Sequence, residues 1–258
     1  IIPKMARKIP DENRYLKILT DTLDITFRND DKILIESSKT LRLVIGILGM
    51  ALPLFLWLSL YLFSGHCEPL DSISHYFFTK ASTFFIGIIS VLAIFFMIYK
   101  GYDSTDFFVS SLAGLAAILL LLLPTGNIVQ DLEESHDYIV TVWTYVHPQS
   151  DYRQVAHFIF AALFLGSLAY MSICQFTKSD LHPGERKSEK ILRNRMYRVF
   201  GSIMILALVL IFLGTKGYIM PVESYNRYHL TFWMEAVAVE SFGISWLIKG
   251  GAICKDKS

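Results

Sequence analysis

Paired cysteines, glycine-rich phosphate loops and closely spaced histidines are all missing from this sequence. Its three cysteines, Cys67, Cys174 and Cys254, form no metal spacing. They offer no evident disulfide either, because the topology derived below leaves Cys67 alone on one side of a membrane. No GxSxG, CxxC or dinucleotide-binding fingerprint occurs, which removes the usual sequence grounds for a hydrolase elbow, a thiol redox centre or a nucleotide fold. Neither HxxxH nor HExxH is present, so no single helix carries a zinc pair. A net charge of +1 with 18% charged residues supplies no basic field for nucleic acid, and none is expected as a partner.

Long apolar blocks are what the chain does have. Hydrophobic residues make up 53% of it and the mean hydropathy is +0.44. They gather in blocks of 17 to 21 residues with almost no charge, each long enough to cross a bilayer as a helix. The pattern predicts an all-α, polytopic membrane bundle over 43–249, with six transmembrane helices at about 43–63, 81–99, 107–123, 158–176, 199–215 and 230–248. Residues 1–42 and 250–258 are tails. Met5 followed by ARKIPDEN reads as a natural start, which would place residues 1–4 outside the native chain, and no signal-peptide core is expected before residue 42. Residues 13–27 mix charged and apolar positions as a surface amphipathic helix would. Pro53 kinks the first span, where Gly46 and Gly49 permit close helix contact, and Ser110 and Gly114 form a small-residue face in the third. Such faces serve intrachain packing or a homo-oligomer equally well.

Lys and Arg are segregated by side. The segments on the side of the N-terminus hold 20 of them and the opposite loops hold 4. Positive residues stay in the cytoplasm, so both termini are expected there, in a cell membrane and most naturally a bacterial inner membrane. The basic 178–198 stretch is read as part of that signal, although its seven cations also suit anionic lipid heads.

Six of the seven histidines fall on the other, outer side, where His75, His157 and His229 stand at the starts of the three inward-running helices. Eight acidic residues share that side. Imidazole at a membrane interface is often only an amphipathic anchor, yet imidazole beside carboxylate also suits ligand binding or acid–base work. The sixth span, LTFWMEAVAVESFGISWLI, carries Glu235 and Glu240 inside an otherwise apolar helix. A charge near mid-bilayer costs ~2.5–3.5 kcal/mol, so these carboxyls must be protonated, paired or turned inward. On a helical wheel His229, Trp233, Ala236 and Glu240 share one stripe, expected to face the interior, with Glu235 ~140° away. Ser82, Thr83, Ser90, Ser167, Ser172 and Gln175 are the candidate partners of Glu240. Before span two, DSISHYFF places Asp71 or Ser72 as a helix N-cap. Residues 124–157 form the longest loop, with 138–146 placed as a lid.

SISHYFFT, YKGYD, HFIFAALFLGSLAYMS, RNRMYRVFG and FWMEAVAVESFGISWLIKGG resemble, as a set over residues 41–251, a family of bacterial six-span integral membrane proteins. That resemblance implies six spans and carries no activity. The layout and the histidine-led fourth span are more distantly similar to the Frag/DRAM/Sfk-like superfamily, some of whose members are associated with lipid handling. Seven-span hydrolases such as alkaline ceramidases and adiponectin receptors join an S-x-x-x-H, an Asp and an H-x-x-x-H around zinc. Here Asp71 stands where that pattern has serine, and Ala161 stands four after His157.

The expected function is an outward-opening polar pocket lined by His75, Tyr76, His157, His229, Trp233, Glu235 and Glu240. It would bind or pass a small polar ligand, an ion or a lipid head group, with no catalytic residue and no cofactor. The alternative is an outward-facing lipid hydrolase, in which zinc would sit on His75, His157 and His229.

Overall fold

The computed structural model describes residues 32–125, 151–179 and 188–254. The amphipathic segment at 13–27, the lid at 138–146, His136, His147 and His182 lie outside them. Every element among the described residues is helical: α1 (Lys32–Ser64), a 3-10 segment (Ile73–Phe78), α2 (Ser82–Ile98), α3 (Ser104–Leu122), α4 (Asp151–Tyr170), α5 (Ser188–Thr215), the short α6 (Val222–Arg227) and α7 (Leu230–Gly250). A π-turn, Met171–Gln175, extends α4. Lys39–Ser64, Ser104–Leu122, Tyr152–Gln175 and Ser188–Thr215 are long and apolar enough to cross a membrane, which marks a membrane protein. Ser82–Ile98 is apolar but shorter.

Most helices overrun the apolar blocks by which the sequence delimits them, although α2 stays within 81–99. α1 begins eleven residues before position 43 and α5 eleven before 199, because helical hydrogen bonding continues through charged turns once they leave the hydrocarbon. The chain goes up and down, so its connections collect at two ends. The histidine end holds 65–81 and 216–229; the basic end holds 99–103, 176–179 and the close of α7.

α7 is the central helix and packs chiefly on α1 and α5. Trp246 is fully buried, with the rings of Phe95, Phe96, Tyr99, Phe176 and Phe242 at centroid distances of 5.0 to 6.1 Å. Edge-on ring packing of this kind adds to simple burial. An interior helix need not be uniformly apolar, which is how α7 accommodates Ser241 and Ser245. Small residues let α1 and α7 touch: a Cβ on Gly243 would stand 2.7 Å from the Gly46 carbonyl oxygen. Gly114 of α3 likewise lies on the Ala93 carbonyl of α2. These small-residue faces are therefore used within the chain and do not argue for an oligomer.

A clasp closes the basic end. Asp103 caps α3 by accepting Asp106 N–H at 3.0 Å, and Lys178 donates to Asp103 at 2.7 Å and to the fully buried Asp106 at 2.5 Å. Gly101, at φ +66°, makes the tight turn that lets Tyr102 N–H reach Asp106 at 2.9 Å. Burial works against the charge on Asp103 and on Lys178, but their pairing prevails: Asp103 is held below its ordinary pKa and Lys178 above its own.

Candidate functional site at the histidine end

Ser72 ends an extended stretch and caps the 3-10 segment, its Oγ accepting Ser74 N–H at 3.1 Å. The capping role read from DSISHYFF is thus observed. The same hydroxyl donates to the Glu235 carboxylate, 3.0 and 2.9 Å from its two oxygens, and Ile73 N–H donates to it at 2.6 Å. Glu235 sits one and a half turns into α7, half-buried, and both of these donors are neutral.

His157 is 3% exposed. Its Nδ1 lies 2.9 Å from the Leu123 carbonyl, which only accepts, so Nδ1 carries the proton of the neutral ring. Nε2 is then an acceptor, 3.1 Å from Ser74 Oγ, which donates to it. Two short hydrogen-bonded chains meet at Ser74: its hydroxyl joins His157 and the Leu123 carbonyl, while its backbone N–H, not the hydroxyl, joins Ser72 and through it Glu235.

Asp71 and His229 form a second unit. His229 Nδ1 is 2.7 Å from Asp71 Oδ1, and the Asp71 carbonyl accepts Phe232 N–H at 3.0 Å. Asp71 therefore satisfies an orphan donor in the first turn of α7. His229 adopts a left-handed backbone, φ 50°, a conformation in which histidine is tolerated more readily than most residues. Asp71 thus holds the turn that launches α7. His75, half-buried between this pair and His157, has its pKa lowered by burial, with Asp71 opposing the shift. Tyr76 is wholly buried against Phe232; burial pushes its hydroxyl up to about 12, while the bond from Leu70 N–H, 3.4 Å, pulls the other way.

The stripe expected to face the interior divides. Ala236 is buried, but Trp233 is half-exposed and Glu240 is exposed. They border a shallow lateral groove of about 200 Å³ with Pro53 and Trp57 of α1. Glu235, on the other side of the wheel, is the carboxylate turned toward Ser72 and Ile73. The reason is that α1 covers one flank of α7 while the 3-10 segment lies against another, an arrangement no local periodicity encodes. Two of the candidate partners of Glu240 are engaged elsewhere: Ser172 Oγ bonds Ser245 Oγ and the Tyr197 carbonyl, and Gln175 donates to the Asp106 carbonyl.

Of the predicted residues, the structure brings His75, His157 and Glu235 into one neighbourhood, pairs His229 with Asp71, places Tyr76 in the core and leaves Trp233 and Glu240 on the groove. Among the described residues, no three His, Cys, Asp or Glu side chains gather as a metal ion would require. Ser72, which the sequence marks only as a cap, and Ser74 are further functional candidates. Comparison with family models, curated proteins and solved structures returns no match.

Proposed function

We propose that the chain is a six-span protein of the bacterial cell membrane with both termini in the cytoplasm, whose outer face binds a small cationic species at Glu235. The proton is the smallest such species. The topology draws on the 20-to-4 segregation of Lys and Arg, with α2 and α7 as the two spans beyond the four long apolar helices. The observation that carries the function is the company Glu235 keeps: a carboxylate on a membrane helix whose partners, the Ser72 hydroxyl and Ile73 N–H, bring no positive charge. The loop sequence 126–150 contains no Lys or Arg to supply one. A carboxylate withdrawn from water needs a proton or a cation. The backbone N–H of Ser74 links Ser72 to the Ser74–His157 pair, so an imidazole is held near the site without a side-chain relay into it.

The test is a comparison of Glu235→Gln with Glu240→Gln in vesicles holding a pH-sensitive dye, together with infrared difference spectra on acidification. Glutamine preserves capping, since its amide oxygen still accepts Ile73 N–H. Loss of the carboxyl protonation band and of proton uptake in Glu235→Gln alone is expected. An unchanged band in Glu235→Gln would show that the residue merely caps.

A second reading, an outward-facing lipid hydrolase, rests on the Ser74–His157 contact, a hydroxyl beside an imidazole oriented from its far side. Covalent labelling by a fluorophosphonate, lost in Ser74→Ala, is its signature; absence of label removes it.

A further inference from the structure

At the basic end a hollow of about 900 Å³ opens between the beginnings of α1 and α5 and the last turn of α7. That volume is typical of small-molecule sites. Five cations line it: Lys39 and Arg42 from α1, Lys190 and Arg193 from α5, and Lys249 from α7. The described lining contains no Asp or Glu.

Three further observations separate this hollow from a merely basic surface. First, Lys249 is held by rings, its Nζ 5.3 Å from the centre of Tyr102 and 5.4 Å from that of Phe176. Arg42, Lys190 and Arg193 act on it as like charges, while Asp106, the opposing carboxylate among the described residues, is already engaged by Lys178. Second, Arg42 Nε is buried with no hydrogen-bond partner among the described residues, an omission that is costly for a charged donor. Third, Lys190 and Arg193 occupy the first two turns of α5, at the positive pole of the helix, where a cation weakens it. Backbone carbonyls nevertheless fix both heads: Arg193 donates to Cys254 O at 3.0 Å and Lys190 to Lys178 O at 3.2 Å.

Membrane orientation requires only that cations lie on one side; it does not require three helices to aim them into one cavity. A bound anion returns the repulsion, fills the open donor of Arg42 and meets the α5 pole favourably. Guanidinium groups match phosphate oxygens in geometry as well as charge.

We propose that this hollow binds a phosphate group, carried either by an anionic lipid head or by a soluble phosphate compound. The site is separate from Glu235 and stands or falls independently of the function proposed there.

The 258-residue chain in neutral detergent would be heated with inorganic pyrophosphate. A second arm would use phosphatidylcholine vesicles with and without phosphatidylglycerol. Protection from unfolding is expected, with apparent affinity about tenfold weaker in Arg42→Gln and in Lys249→Met, the loss of one charge-assisted contact. It should be unchanged in Arg198→Gln, which removes the same charge from another face of α5. Arg42 is half-exposed at the rim, so Arg42→Gln carries the test if Lys249→Met does not fold. Protection by phosphatidylglycerol alone assigns a lipid head group; protection by pyrophosphate assigns a soluble ligand. Protection by neither probe, or equal weakening in Arg198→Gln, overturns the proposal.

Discussion

Ser74 and His157, 83 residues apart in sequence, share a hydrogen bond of 3.1 Å that ties the loop before α2 to the start of α4. Because the Leu123 carbonyl takes the Nδ1 proton, the direction of the bond is set. Nitrogen NMR of the labelled ring should report the Nδ1–H tautomer with an unprotonated Nε2 at neutral pH. The opposite tautomer would overturn this assignment of donor and acceptor. His157→Ala should also cost about 2 kcal/mol of stability, as the Leu123 carbonyl and the Ser74 hydroxyl lose their partner in a buried site.

Glycines on α7 and α2 should respond in opposite ways. Gly243→Val would drive a branched side chain into Met50 and the Gly46 carbonyl, and should prevent α1 from docking. The expected loss of several kcal/mol exceeds ordinary overpacking because the neighbour is backbone. Gly87 has nothing within 4 Å of where a Cβ would go, so Gly87→Ala should be neutral or stabilising by up to about 1 kcal/mol. Thermal midpoints in one detergent compare the two, and equal effects would refute the close approach.

Lys178→Met should leave Asp106 buried and without its cation. Breaking a buried pair from one side costs about 3–5 kcal/mol, and the partial exposure of Lys178 brings the expectation to the lower end. Asp106→Asn in the same background should recover part of the loss, since the amide oxygen still accepts Tyr102 N–H. Additive losses in the double variant would mean that the clasp contributes little.

His75 gives the protein an acid-sensitive element outside the spans. Burial lowers its pKa, Asp71 opposing, so the folded chain keeps the ring neutral where the unfolded chain, near 6.5, takes a proton. Below about pH 6.5 the unfolded state binds more protons, and stability falls as pH drops toward the folded value; above 6.5 the group contributes no slope. His157 and Asp71 face the same ring, so the measurement is the difference between wild type and His75→Asn in midpoint from pH 7.5 to 5.5. A slope unchanged by the substitution would assign the sensitivity elsewhere.

The four long apolar helices could be read from the chain because hydrocarbon demands runs of apolar residues, and such runs end where Asp103 or Lys178 begins a polar clasp. Their true helical limits could not, because a charged turn outside the hydrocarbon is still a good helix. The wheel separates Glu235 from Glu240 by angle but cannot say which one faces inward. That choice belongs to Ser72 and Ile73, the latter 162 residues away in sequence. Ser72 was legible as a cap, since capping is local; its second bond was not. The cations of the basic end could be counted as an orientation signal, while their convergence from α1, α5 and α7 has no signature in any single segment.

α1 is also a ruler. Its 33 residues measure about 50 Å at the rise of a helix, against about 30 Å of hydrocarbon. Gly65, donating its N–H to the Tyr61 carbonyl at 2.8 Å, closes the helix at the histidine end, so the surplus projects from the other face. Counting back from Phe63, about 30 Å of helix reaches Leu43, and about 16 Å more lies before it. If the first span fills the hydrocarbon as proposed, a spin label or fluorophore at Lys32 stands clear of it, and its distance to a lipid-borne partner reads how deep α1 sits.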